Sequence, residues 1–321
     1  MTLRNSLFAV SGKASFLDAR RDMSGLFVCD KTTMMPIAGI LDRSQDNLVT
    51  GNSNSMSVTV HPFNAVLNRY GALLIQNDGN VSVPLNAAPS ANSRIDVVYV
   101  KQNETRSPMS DSSDVPEFGV VKGTASAVPV APAVPAGALA LAEVLLPAGV
   151  SNTAASGVVI AQTYIGAAMK GDMLRVQTSA QRDALTDVPE GTLLHNVADN
   201  CDYVRTTSGK WAKTRDTIDV SIPFTTNRVR LSREWDTVIV SGSVHYTGSN
   251  QCNHATANET IPTGWRPYGD NSAANNYGTI GAVNANWCNF VRPDGVIIML
   301  GNTNAVYSGV TGGWQCREWR A

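Results

Sequence analysis

Glu234 and Asp236 come nearest to acid–base chemistry in this sequence, because they stand two residues apart. On a strand such neighbours share a face at about 7 Å, a separation at which an inverting glycosidase seats its water. Carboxylates at the start of a strand are ordinarily just solvated, however, and no other motif supports catalysis. No G-x-S-x-G, H-E-x-x-H or P-loop occurs, and His61, His195, His245 and His254 have no partner at motif spacing. The expectation is a protein that is not an enzyme and needs no cofactor. Five dispersed cysteines, Cys29, Cys201, Cys252, Cys288 and Cys316, include no C-x-x-C, and Cys252 with His254 is an isolated pair, so no metal site is expected. Free thiols are predicted, with a Cys288–Cys316 bridge as the alternative.

The chemistry the sequence favours is recognition. Five of the six tryptophans, Trp235, Trp265, Trp287, Trp314 and Trp319, fall in the last hundred or so residues, where Asn, Gly, Ser and Tyr are interspersed and the Lys/Arg cations are all arginine. Aromatic faces accept the C–H side of a sugar ring, and Asn and Arg donate to its hydroxyls. Trp265, Tyr268, Tyr277, Trp287, Arg292 and Trp314 are therefore the candidate glycan-binding residues. Trp265 and Trp287 also suit the competing role of packing in a core or on a symmetry axis.

Charge narrows the partners. The 25 basic and 26 acidic side chains give a formal net charge of -1, no field with which to gather nucleic acid or an anionic membrane. No apolar run is long enough to span a bilayer. Leu7–Val10 is too short for the apolar core of a secretory signal, so none is expected. Only 16% of residues are charged, below the roughly 25% of an average domain; with abundant Gly, Ser, Thr, Asn and Val, this is the composition of an all-β protein rich in turns.

The elements that would position these residues are mostly strands. In S-R-I-D-V-V-Y-V, Ile95, Val97 and Tyr99 alternate with Arg94, Asp96 and Val98, a half-buried strand. Pro129, Pro132 and Pro135 recur every third residue, the period of polyproline II, and make a stiff spacer. Residues 138–146 have helical propensity but too little room between Gly137 and Pro147, so a strand is expected. Asp78-Gly79 between L-L-I-Q and V-S-V-P-L predicts a hairpin. Ser107–Pro116 reads as a surface loop, and Thr178 or Ser179 as the N-cap of a short helix. Further on, Ile218, Val220, Ile222 and Phe224 are expected to share one strand face, and Pro293-Asp294-Gly295 marks a reversal.

The succession N-S-R-I-D-V-V-Y-V, G-T-A-S, P-V-A-P-A-V-P-A-G-A-L-A-L-A-E-V and L-P-A-G, preceded from about Met34 by M-M-P-I-A-G-I-L and S-M-S-V-T-V-H-P-F-N-A-V-L, resembles a β-rich module of tail-tip and baseplate proteins of tailed bacteriophages. It covers over a third of the chain. V-Q-T-S-A-Q-R-D-A-L…E-G-T-L-L-H-N-V…Y-V-R-T-T-S-G-K-W is similar to a small connector of such proteins, and I-P-T-G-W-R-P-Y with the late D-G-V-I-I-M strand resembles their receptor-binding head. The resemblance implies an elongated, multi-domain all-β virion protein assembled in the host cytoplasm: an N-terminal arm (1–25), a baseplate-anchoring β domain (26–165), a neck with one small helix (166–215) and an antiparallel sandwich-like head (216–321). It further implies a homotrimer, partnership with other tail or baseplate proteins, and attachment to host cell-surface polysaccharide. A purely structural baseplate subunit would have much the same sequence, and a wall-polysaccharide depolymerase is the remaining alternative.

Overall fold

The computed structural model describes residues 15–41, 47–247, 252–256, 259–269, 277–283, 287–301 and 307–316. The expected all-β class is what is found: the described residues form mainly antiparallel sheets with two short helices, Phe16–Ser24 and Ser179–Ala184. The chain divides into two compact units, 1–200 and 201–321, so the division falls inside the stretch expected to be a neck.

The first unit is built on the strand Arg94–Gln102, which lies between Pro116–Val121 and Leu139–Leu146, with Val159–Gln162 outside the latter. Its deeper face carries Arg94, Asp96, Val98 and Val100, while Ile95 and Tyr99 are half-buried. An ion pair therefore sits on the core side of the central strand, with Arg94 2% and Asp96 0% exposed. Leu139–Leu146 is a strand as expected, and its helix-like spacing has a physical cause. A bulge opposite Val98 and Tyr99 leaves Leu141 as an extra residue, so Leu141 and Ala142 both turn inward and the alternation changes phase.

Both neighbours run antiparallel to Arg94–Gln102, hence parallel to each other, and residues 122–138 carry the chain across between them. The prolines lie in this crossover. Ala127, Val130, Ala133 and Ala136 are exposed while Pro129, Pro132 and Pro135 are half-buried, a period of three that matches a polyproline II turn laid on the body. Parallel strands require a long connection; here it is extended rather than helical.

Asp78-Gly79 does not close a hairpin. Ala72–Asn77 pairs with Phe63–Asn68, whereas Val81–Pro84 pairs with Ser57–Val60 in a different sheet, with the register displaced by one residue. The N-D-G segment and His61-Pro62 opposite it thus form the bend of one long ribbon passing from sheet to sheet, tied by the Asn77 amide donating to His61 O at 3.0 Å. The reversal is at Arg69-Tyr70-Gly71, where Tyr70 and Gly71 have φ of 59° and 138°. Gly71 is required on two counts, since a Cβ there would meet Arg20 at 2.7 Å.

Of the expected arm, residues 16–24 are a helix and residues 1–14 lie outside those described. Ser15 and Asp18 form its capping box, and Ser24 Oγ accepts from Ala72 N at 2.8 Å, which docks the helix on the ribbon. Around it Arg20, Arg69 and Lys101 meet Glu104 and Asp111 in a mostly buried ion network. The Ser107–Pro116 segment is a surface loop with two anchors, buried Met109 and the carboxylate of Asp111. The unit closes with a parallel pair, Met173–Val176 and Leu193–Asn196, linked through the second helix. Thr178 is its N-cap, and Thr178 and Gln181 bond each other's backbone N–H, as S/T-x-x-Q spacing predicts.

The second unit begins with the hairpin Cys201–Arg205 and Trp211–Lys213. Its main sheet runs in the order Arg215–Val220, Val229–Glu234, Thr237–Ser241, Tyr307–Gln315, Gly278–Ala282, Trp287–Val291, Ile297–Gly301, Cys252–Thr256, so the last strand in sequence is central. Val220 and Leu231 from one edge share a single core with Ile297 and Met299 from the other, so the sheet curls around it. Pro293-Asp294-Gly295 reverses the chain as expected, with Gly295 N donating to Arg292 O at 2.8 Å. The expected common face of Ile218, Val220, Ile222 and Phe224 breaks down at its end. The strand stops at Val220, and Phe224 takes a φ of 55° and stands 46% exposed, edge-on to Tyr246.

Two outcomes are expected from this arrangement. Asp96→Ala strands the Arg94 guanidinium in the core, and denaturant unfolding should show a loss of about 3–5 kcal/mol. Separately, the hydrogen bond from Lys101, helped by the Glu104 N–H and Arg69, holds the Asp111 carboxyl below its usual value. The stability it contributes is complete above the unfolded carboxylate value of about 3.9 and is lost as the pH falls through the lowered one. Asp111→Asn should therefore lose less stability than the parent between about pH 5 and pH 2.

Candidate functional site

One end of the second unit gathers exposed aromatic side chains. Glu234 pairs with Thr237, which leaves Trp235-Asp236 as a two-residue turn with Trp235 at a φ of 56°. Hairpin turns of this length favour Gly, Asn or Asp where φ is positive. Here the conformation is fixed from three sides. Trp235 N donates to Thr214 O at 2.7 Å, Arg233 Nε donates to Trp235 O at 2.8 Å, and Cys316 N donates to Asp236 O at 2.6 Å.

The sheet register brings further residues to the same end. Thr237 pairs with Gln315, whose carbonyl accepts from Tyr268 N at 2.8 Å. The pairs Gly278 with Val291 and Thr279 with Gly313 carry Tyr277 toward Arg292 and Gln315. Tyr277 meets Phe290 edge-to-face, with ring centroids 6.4 Å apart. Trp235, Tyr268 and Tyr277 are 44%, 48% and 42% exposed, and Arg292 is ion-paired to Asp294 at 2.8 Å.

The other three candidates are core side chains. Trp265 and Trp314 are each 8% exposed and joined by a 2.7 Å bond from Trp314 Nε1 to Trp265 O. The Trp314 ring covers Gly278, where a Cβ would come within 2.4 Å of it. Trp287 is 4% exposed and pairs with Gly301 at the opposite end of its strand from Arg292. Buried ring faces cannot stack on a sugar, so the structure withdraws Trp265, Trp287 and Trp314 from the recognition surface and leaves Tyr268, Tyr277 and Arg292 on it. Beside Trp287, Asn289 is fully buried and its amide atoms have no hydrogen-bond partner among the described residues.

Trp235 belongs to this end but was not a candidate from sequence. The signal was present. Val229, Leu231 and Arg233 point inward, as do Val238 and Val240, and a reversal at residues 235–236 joins these two phases. The same reversal removes the premise of the Glu234/Asp236 pair, because the strand ends at Glu234 and Asp236 lies in the turn. Glu234 is instead an exposed partner of Arg215.

Among the described cysteines, Cys29, Cys201, Cys288 and Cys316 are free thiols, so Cys288 and Cys316 are not bridged. The side chains of Cys252 and His254 fall outside the described residues. Among those described, no group of three or more His, Cys, Asp or Glu is arranged to hold a metal. No family model matches the chain, and no curated protein is significantly similar to it.

Substitution should separate the two classes of aromatic. Trp287→Ala or Trp314→Ala is expected to cost about 3–5 kcal/mol in unfolding free energy. Tyr268→Ala and Tyr277→Ala should each stay within about 1 kcal/mol of the parent.

Proposed function

We propose that this chain is a tail-tip or baseplate protein of a tailed bacteriophage, held in the virion by its first unit and binding host cell-surface glycan through its second. The observation that carries the reading is the convergence of Trp235, Tyr268 and Tyr277, all substantially exposed, on one end of the second unit. Three aromatic faces with Gln315 and Arg292 among them offer a sugar both stacking and hydrogen bonds. At about 1 kcal/mol per stacking contact a single site would bind only in the millimolar range. Several copies on a particle, a trimer in the first instance, would raise this by avidity. The site binds without cleaving.

One observation favours a second reading, in which the aromatics seat against another virion protein. They lie at the end of the sheet where the chain enters through Thr214 and Arg215, not at the end that carries Phe224. The triple variant Trp235→Ala, Tyr268→Ala, Tyr277→Ala distinguishes the two. Adhesion predicts that the variant still assembles into particles but that the purified protein no longer coats susceptible cells. A structural contact predicts intact coating and failed assembly. Incubation of the parent protein with purified wall glycan should release no new reducing ends.

A further inference from the structure

We infer that the aromatic end of the second unit selects a neutral sugar over a phosphate- or uronate-bearing polymer, with Trp235 as its principal stacking face. This rests on the glycan reading and adds the ligand's charge class and the residue that ranks first.

The charge class follows from how the cations are used. A polyanionic glycan is held by Arg or Lys whose charge is still available, often bidentately. Around this end three of the described cations already have a carboxylate partner: Arg215 with Glu234 at 3.2 Å, Arg292 with Asp294 at 2.8 Å and Lys213 with Asp216 at 3.8 Å. Arg233 is 8% exposed and is directed to the carbonyls of Trp235 and Gly264. Arg266 Nε donates to Ile261 O at 2.9 Å. At Arg215, Arg292 and Lys213 an anionic ligand would have to compete with the carboxylate already there, whereas a neutral ring needs only an aromatic face and hydroxyl partners.

The rank of Trp235 follows from its backbone. It occupies a turn position where glycine or asparagine would be the less strained choice, and it is held there by its N–H to Thr214 O, by the Arg233 side chain on its carbonyl and by Cys316 N on the neighbouring Asp236 O. Its side chain is nonetheless 44% exposed, so burial of the ring does not account for it. Tyr268 lies at the same end without positive φ.

The test uses the full-length protein against immobilised neutral oligosaccharides (chitotetraose and galacto-oligosaccharides) and anionic ones (oligogalacturonate and poly(glycerol phosphate)), from 50 to 500 mM NaCl, concentrations chosen to bracket the range over which exposed charges are screened. Binding to a neutral probe that changes less than about twofold over that range is expected, because stacking is not screened. Trp235→Gly should weaken it by about tenfold or more, equivalent to 1.4 kcal/mol, at an unchanged or raised melting temperature. Val283→Ala, on an exposed residue near Gly309, is the control and should bind as the parent does. Binding confined to the anionic probes and falling steeply with salt would overturn the charge class while leaving glycan adhesion standing. Parent-like binding by Trp235→Gly would overturn its rank. Binding to no probe, with host cells still coated, would overturn the neutral-sugar assignment alone; failure to coat cells as well would remove the glycan reading beneath it.

Discussion

The first unit depends on a charge pair placed where a β protein ordinarily puts valine. Arg94 Nε and Nη2 reach Asp96 at 2.9 and 3.0 Å, and Nη1 and Nη2 reach the carbonyls of Ala87 and Asn86 at 2.6 and 2.7 Å. Asp96 also accepts from Gly123 N at 2.9 Å. A buried pair of this kind contributes little net stability after desolvation, but it tolerates few alternatives because every donor must find its acceptor. Two stretches of chain are thereby fixed to this strand: the exit from Val81–Pro84 and the start of the proline crossover. With Gly123 held at one end and Gly137 against Arg69 at the other, the crossover has little choice of path. That constraint is what allows Pro116–Val121 and Leu139–Leu146 to flank the same strand.

The features legible in the sequence are those set by local physics. The cap at Thr178 needs only a hydroxyl and a Gln three residues on, and the Pro293-Asp294-Gly295 turn needs only its own backbone preferences. The strand at Leu139–Leu146 was recoverable from the room available. What escaped was set at a distance. Asp78-Gly79 has the composition of a hairpin, but the partner of Val81–Pro84 is Ser57–Val60, a choice made by which faces must be buried in each sheet. The true reversal at Arg69-Tyr70-Gly71 has no conspicuous turn pair. Likewise, alternation in the S-R-I-D-V-V-Y-V strand could not say which face was the deeper, because the charges of Arg94 and Asp96 are cancelled only by groups brought in from elsewhere.

The candidate site divides along the same line. Residue type alone put Trp265, Trp287 and Trp314 on the same footing as Tyr268 and Tyr277, but a tryptophan on the inward phase of a strand is packing. Trp287 alternates with Asn289 and Val291 toward the core, and Trp314 closes over a glycine that exists to admit it. The tyrosines and Trp235 differ because they sit at strand ends and turns, where the backbone leaves the core behind. Position in the register, more than residue type, therefore decides which aromatic ring remains available to a ligand.

Backbone strain adds a further step. Among the described residues other than glycine, six have positive φ. Asn92 and Asn200 are ordinary occupants of that region, because a short amide side chain can bond locally. Met34, Tyr70, Phe224 and Trp235 cannot recover the roughly 1–2 kcal/mol in this way, and each remains between 44% and 51% exposed, so packing within the chain returns only part of it. Glycine at these positions would relieve the strain and lose the side chain. Retaining a large apolar group at four turns is reasonable if those groups are used by something outside the chain. Two of the four lie in each unit, which fits the proposal that the first unit has a contact of its own to make and is not merely a support for the second.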